Sequence, residues 1–146
     1  MATFTATKGK AGEQAKAIHA GANVVVSNFV WGVTNLDDTT TSSTAAATDV
    51  IRFCKLPKGA VVTSIYLKGN RDDGSYKLGT SVSESAFVAL VSASAGVTLI
   101  SQGLPYTVSI SDEASVYYEW LQATVVSAGY TLSDQIQCVV TYVMDN

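Results

Sequence analysis

Apolar and polar residues alternate along most of this chain, in short runs separated by turn-forming residues. In VIRFCKL, residues 50–56, Ile51 and Phe53 face one way, while Val50, Arg52, Cys54 and Leu56 face the other. A period of two is the mark of a strand. Pro57, which lacks an N–H, and Gly59 follow, and predict a tight turn or strand break. AVVTSIYLKG then sets Val61, Thr63, Ile65 and Leu67 against Ala60, Val62, Ser64, Tyr66 and Lys68. NRDDGS is a turn signal, with SYKLGT a short strand behind it. Further on, LPYTVSISD sets Tyr106, Val108 and Ile110 against Thr107, Ser109 and Ser111. Val116, Tyr118 and Trp120 oppose Tyr117, Glu119, Leu121, Ala123 and Val125. Finally, Ile136, Cys138, Val140, Tyr142 and Met144 line one face of a run that predicts a strand tied into a sheet.

Upstream, AKAIHAGANVVVSNFVWGV reads as two strands broken at Gly21-Ala22-Asn23. In the second, Val24, Val26 and Val30 share one face and Val25, Phe29, Trp31 and Val33 the other. Apolar residues on both faces imply a strand covered on both sides, in a sandwich or at a subunit contact. Residues 34–49 are polar and of low complexity, an exposed loop. SVSESAFVALVSAS stays open between two readings. Ser81 or Ser83 with Glu84 can cap a short helix, and AFVALV also reads as a buried strand. The preferred form is a short helical turn running into extended chain. Residues 1–14 hold no sustained period and read as an N-terminal arm, ordered when something docks it. The pattern totals about eight to ten short strands with no long helix. It predicts an all-β, antiparallel two-sheet sandwich over residues 15–146, jelly-roll-like, preceded by that arm.

Composition narrows the classes of function. Of the 146 residues, 14% are charged and 47% hydrophobic, so many outward positions fall to Ser, Thr, Ala and Tyr. Such a surface suits packing against other subunits. A net charge of −3 gives no basic footprint for nucleic acid. No apolar run reaches the roughly 18 residues of a membrane span. The first residues show no apolar core behind their lysines, so the expectation is synthesis in a cytoplasm without a secretory signal.

Little chemistry is on offer. The single histidine, His19, lacks a nucleophile elbow around any serine and reads as a hydrogen-bonded strand-end residue. Two cysteines 84 residues apart, Cys54 and Cys138, read as buried free thiols. One His and two distant Cys do not make a zinc site. Asp37-Asp38, Asp72-Asp73 and Asp112-Glu113 fall in turns, where solvation accounts for them. Glu119 lies in a strand between Tyr118 and Trp120, where it faces water or pairs with a lysine, or else touches sugar or acts as an acid. Tyr106, Tyr117, Tyr118, Trp120 and Tyr130 form a sugar platform only if they are not core or interface. No catalytic, cofactor or metal residue is assigned. The partner-contact candidates are Phe4, Lys8, Lys10, His19 and Trp31.

AIHAGANVVV, then DVIRFCKLPKGAVVTSIYLKG, then KLGTSVSESAF, behind an arm rich in Gly and Lys, together resemble small virion structural proteins of tailed bacteriophages. These are the head decoration or capsid-stabilising proteins, and the resemblance spans about residues 15–90. It implies a non-enzymatic sheet domain without cofactor, located on the outer capsid surface of the virion. Its partners would be the major capsid protein lattice and itself, as dimer or trimer, with no nucleic acid and no membrane. A phage neck, tail or fibre-base subunit is the alternative, with a carbohydrate-binding module behind it.

Overall fold

Among the described residues ten strands arise, where β-branched and aromatic residues alternate with polar ones. In a computed structural model of the chain, residues 3–5, 23–30, 47–70, 74–92, 96–108, 118–127 and 134–144 are described. The strands are β1 (Thr3–Thr5), β2 (Asn23–Val30), β3 (Val50–Pro57), β4 (Ala60–Gly69), β5 (Ser75–Thr80), β6 (Val88–Ser92), β7 (Gly96–Ile100), β8 (Tyr106–Thr107), β9 (Tyr118–Ser127) and β10 (Gln135–Met144). They form two sheets. Sheet A has the order β1-β3-β9-β5-β6, and sheet B the order β2-β10-β4-β7, with β8 beside β4. Without β1 and β8, two four-stranded sheets remain, in the order of a jelly roll. The pairings are antiparallel except one: β1 lies parallel to β3, with Thr3 opposite Val50 and Thr5 opposite Arg52. Three residues of the segment read as an arm are therefore held by the edge of the body itself.

Pro57-Lys58-Gly59 carries the chain from one sheet to the other. Gly59 sits at φ 84°, a left-handed conformation that only glycine adopts without strain. Around it, the N–H of Gly59 donates to the Val108 carbonyl at 3.0 Å, and the N–H of Val108 donates to the Ala60 carbonyl at 2.8 Å. β3 and β4, the most patterned neighbours in the sequence, thus line opposite walls of the core.

Register shifts against β9 and β10 reset the alternation of β3 and β4. Arg52 pairs with Gln122 but Cys54 with Leu121, so Phe53 is the extra residue of β3. As a result Ile51, Phe53, Cys54 and Leu56 are all buried, whereas strict alternation placed Cys54 and Leu56 with Arg52. In β4, Ser64 pairs with Thr141 but Val62 with Tyr142, leaving Thr63 over. Here Ala60 and Val62 join Ile65 and Leu67 inside, which again departs from strict alternation. At both irregularities a hydroxyl satisfies a carbonyl: Ser27 Oγ donates to the Phe53 carbonyl at 2.7 Å, and Thr63 Oγ1 to the Thr141 carbonyl at 3.1 Å. The first of these bonds ties the two sheets together.

The core is the space between the sheets. Leu78, Phe87, Leu121, Ala123 and Val125 fill it from one side, and Ile65, Leu67, Ile136, Val140 and Tyr142 from the other. Cys54 and Cys138 are buried and unbonded. Residues 81–87 form bends and turns, and Val88–Ser92 is a strand, so the short helical turn expected there is absent. Thr80 holds that turn instead: its Oγ1 accepts the N–H groups of Val82 and Ser83, while its own N–H donates to the Ser83 carbonyl.

Candidate functional site

With one face of each sheet in the core, function falls to the two outer faces. That of sheet B carries one apolar row, with Gln137 and Lys68 on one side of it and Thr141 and Ser64 on the other. Val26 pairs with Val139, Val139 with Tyr66, and Tyr66 with Leu99, so these four residues form one row across the whole sheet. Val26 is 40% exposed, Tyr66 41% and Leu99 57%. Val24 extends the row along β2, and Val97 lies two residues before Leu99 on β7; both are exposed. Lone surface hydrophobes are ordinary, but contiguous ones mark a contact surface. The two-sided apolar pattern of residues 24–33 had implied cover on both sides. In this chain Val24 and Val26 are uncovered.

The outer face of sheet A is polar and aromatic. Lys55 pairs with Trp120, and Pro57 with Tyr118. The Arg52 guanidinium stands 5.0 Å and the Lys55 ammonium 5.1 Å from the Trp120 ring centre, and Lys55 is 4.5 Å from that of Tyr118. The two rings meet edge to face at 5.9 Å. Trp120 therefore already has two cations over its ring and is not an open platform for a sugar.

Beside this cluster runs a groove of about 720 Å³ crossing β1, β3, β9 and β5, with Thr3, Arg52, Gln122 and Lys77 among its lining. One wall is the turn after β5. Its approach depends on Gly79, where a Cβ would fall 2.2 Å from the Ser83 carbonyl oxygen. Lys77 and Glu84 close that end with an ion pair at 2.5 Å. At the other end Thr48, a β-branched residue at φ 77°, donates its N–H to the Val125 carbonyl at 2.8 Å. Gln122 points outward from β9 but is only 8% exposed, because these walls rise around it. Among the described residues, its Oε1 and the Nε of Arg52 have no hydrogen-bond partner.

Glu119 does not face water: it is buried between the sheets and accepts the Tyr106 hydroxyl at 2.8 Å. Burial, and then that carboxylate, push the Tyr106 hydroxyl above its ordinary value, with a bond to Thr80 working the other way. Tyr106 also packs edge to face on Phe87 at 5.1 Å, so the pair is a strut between sheets. Among the described residues no group of three or more His, Cys, Asp and Glu is placed to hold a metal ion. Likewise, no helix there is long and apolar enough to cross a membrane.

Of the partner-contact candidates, Phe4 lies in β1 opposite Ile51. Lys8, Lys10, His19 and Trp31 lie outside the described residues. The sequence reading missed the sheet B row and the Arg52–Gln122 pair. Apolar Val26, Tyr66 and Leu99 were visible, but their alignment depends on register across four strands.

An all-β sandwich of jelly-roll order is the class these strands define. Comparison with solved structures adds three chains. One, from the capsid of Ralstonia phage GP4, is 12% identical with a TM-score of 0.75, covering 99% of each chain. Another, from the capsid asymmetric unit of cyanophage Pam1, is 20% identical with a TM-score of 0.60, over 93% of this chain and 95% of that one. The third, from the acid-stable capsid of Helicobacter pylori bacteriophage KHP30, is 16% identical with a TM-score of 0.55, over 87% and 90%. At these identities the likeness is one of fold. No protein-family model matches the chain, and no curated protein sequence does.

Proposed function

We propose that this chain is a virion structural protein that binds the outer face of a tailed-phage capsid and stabilises its lattice, as a decoration or cement protein. The observation that carries the reading is the whole-length likeness to chains from three phage capsids. The apolar row of sheet B supports it by giving the sandwich a surface to dock on the shell. The partner is the major capsid protein lattice, and copies of the chain associate as dimers or trimers on it.

The mechanism is mass action without a chemical step. Each copy bridges neighbouring subunits in the assembled shell and binds the free subunit poorly, so occupancy favours the assembled state. Contacts that are weak singly multiply over the many copies on one particle. Electron microscopy of virions carrying a label on this chain tests the reading. An evenly coated shell supports it. Label at one vertex or along the tail overturns it in favour of a neck, tail or fibre-base subunit.

A further inference from the structure

The groove on sheet A holds two buried polar atoms of opposite kind that have no partner among the described residues, and a native fold seldom leaves such atoms unmet. We propose that this groove is a peptide site, taking the main chain of an extended, uncharged segment from a neighbouring shell subunit, with Arg52 and Gln122 as its polar contacts. The inference rests on the shell reading above and adds a second, different contact to it.

The chemistry of the two atoms selects the ligand. Arg52 Nε is a donor and Gln122 Oε1 an acceptor. A carboxylate or phosphate satisfies the arginine but meets the glutamine oxygen with a second negative atom. An ammonium group satisfies the glutamine and is repelled by the arginine. A neutral group carrying an acceptor and a donor side by side answers both, and the peptide unit is such a group. At the rim Lys77 and Glu84 neutralise each other, and the remaining cation, Arg52, has its guanidinium over the Trp120 ring. Val50, Val82 and Val126 along the lining suit side chains that alternate from an extended segment.

Sugar hydroxyls also pair donors with acceptors. A sugar, however, wants an open aromatic face beside them, and Trp120, under Arg52 and Lys55, and Tyr118, under Lys55, do not line the groove. The observations therefore favour a peptide.

The test uses the full chain and shells purified without it. Gln122→Leu removes the unmet acceptor and keeps an apolar side chain in its place. The expected result has two parts: shell binding at least tenfold weaker, and a thermal midpoint equal to or above that of the wild type. A photo-crosslinking amino acid in place of the rim residue Val82, which is 72% exposed, is expected to capture a peptide of another shell protein. Unchanged shell binding by Gln122→Leu, a lowered midpoint, or crosslinks confined to the same chain or to glycan would each overturn the site. A wild-type chain that fails to bind shells at all overturns the shell reading itself, and the wild-type control tells the two failures apart.

Discussion

The two sheets present opposite surfaces. Sheet B shows a flat apolar row, Val26–Val139–Tyr66–Leu99, in register and uncovered. Sheet A shows a walled groove with polar residues in its floor, flanked by cations over aromatic rings. An apolar row adheres to any complementary surface in proportion to area, whereas buried polar atoms demand a partner of particular chemistry. The difference teaches a division of labour. Under the proposed function, sheet B supplies adhesion and sheet A supplies selectivity.

The comparison breaks most severely at Gly79. Gly79→Val drives side-chain atoms into the backbone of Ser83 and Glu84, 2.2–2.6 Å from the position of its Cβ. A loss of about 4 kcal/mol in denaturant unfolding is expected, in the range reserved for buried overpacking. A loss under about 1 kcal/mol means the groove wall moves freely.

Tyr66→Glu places a charge in the sheet B row. Attachment to shells is expected to fall about a hundredfold, near 2.7 kcal/mol, while unfolding shifts by less than about 1 kcal/mol at this exposed position. Shell co-sedimentation measures the first and chemical denaturation the second. Unchanged attachment removes sheet B from the contact.

Alkaline pH tests the interior that carries both faces. Burial raises the Cys54 thiol from 9.0 to about 12 and the Tyr142 hydroxyl from 10.0 to about 12, the latter with Cys54 adding. Cys138 is raised in the same direction by burial and by Cys54. Below pH 9 folded and unfolded chains keep these protons alike. Above it the unfolded chain releases protons that the folded chain retains, so stability falls from about pH 9 towards pH 12. Cys54 alone contributes on the order of 1 kcal/mol of that loss by pH 10. Cys54→Ala should flatten the early part of the slope, and an unaltered slope would show that burial of this thiol does not set it.

The smallest effect is expected at Lys55. Lys55→Ala removes a cation from Tyr118 and Trp120 at a cost of about 0.5 kcal/mol. It leaves shell attachment unchanged, because Lys55, Tyr118 and Trp120 line neither the proposed groove nor the sheet B row.

Much of the fold was legible in the sequence. Period-two patterning located β2, β3, β4, β5, β8, β9 and β10 but not β1 or β7, and in β10 it put Ile136, Cys138, Val140 and Tyr142 on one face, which the structure buries. Phase was lost where the chain bulges. Phe53 and Thr63 carry no signal of being supernumerary, since a bulge is stabilised by distant partners such as Ser27 and Thr141. The segment after Thr80 misled because Ser83 and Glu84 suit a helix cap, whereas Thr80 and the closeness allowed by Gly79 fold it back as a turn. The candidate surfaces were least legible. A row built from β2, β10, β4 and β7 exists only after jelly-roll pairing brings together residues as distant as Val26 and Val139. Gln122 carries no sequence signal, because its burial comes from walls that distant segments raise around it.

The most direct measurement is an electron cryo-microscopy reconstruction of the particle that carries this chain. The account predicts copies arrayed over the shell, with Val26, Tyr66 and Leu99 buried against neighbouring subunits. A reconstruction in which the chain is absent from the shell, or sits on it with that row facing solvent, contradicts the account.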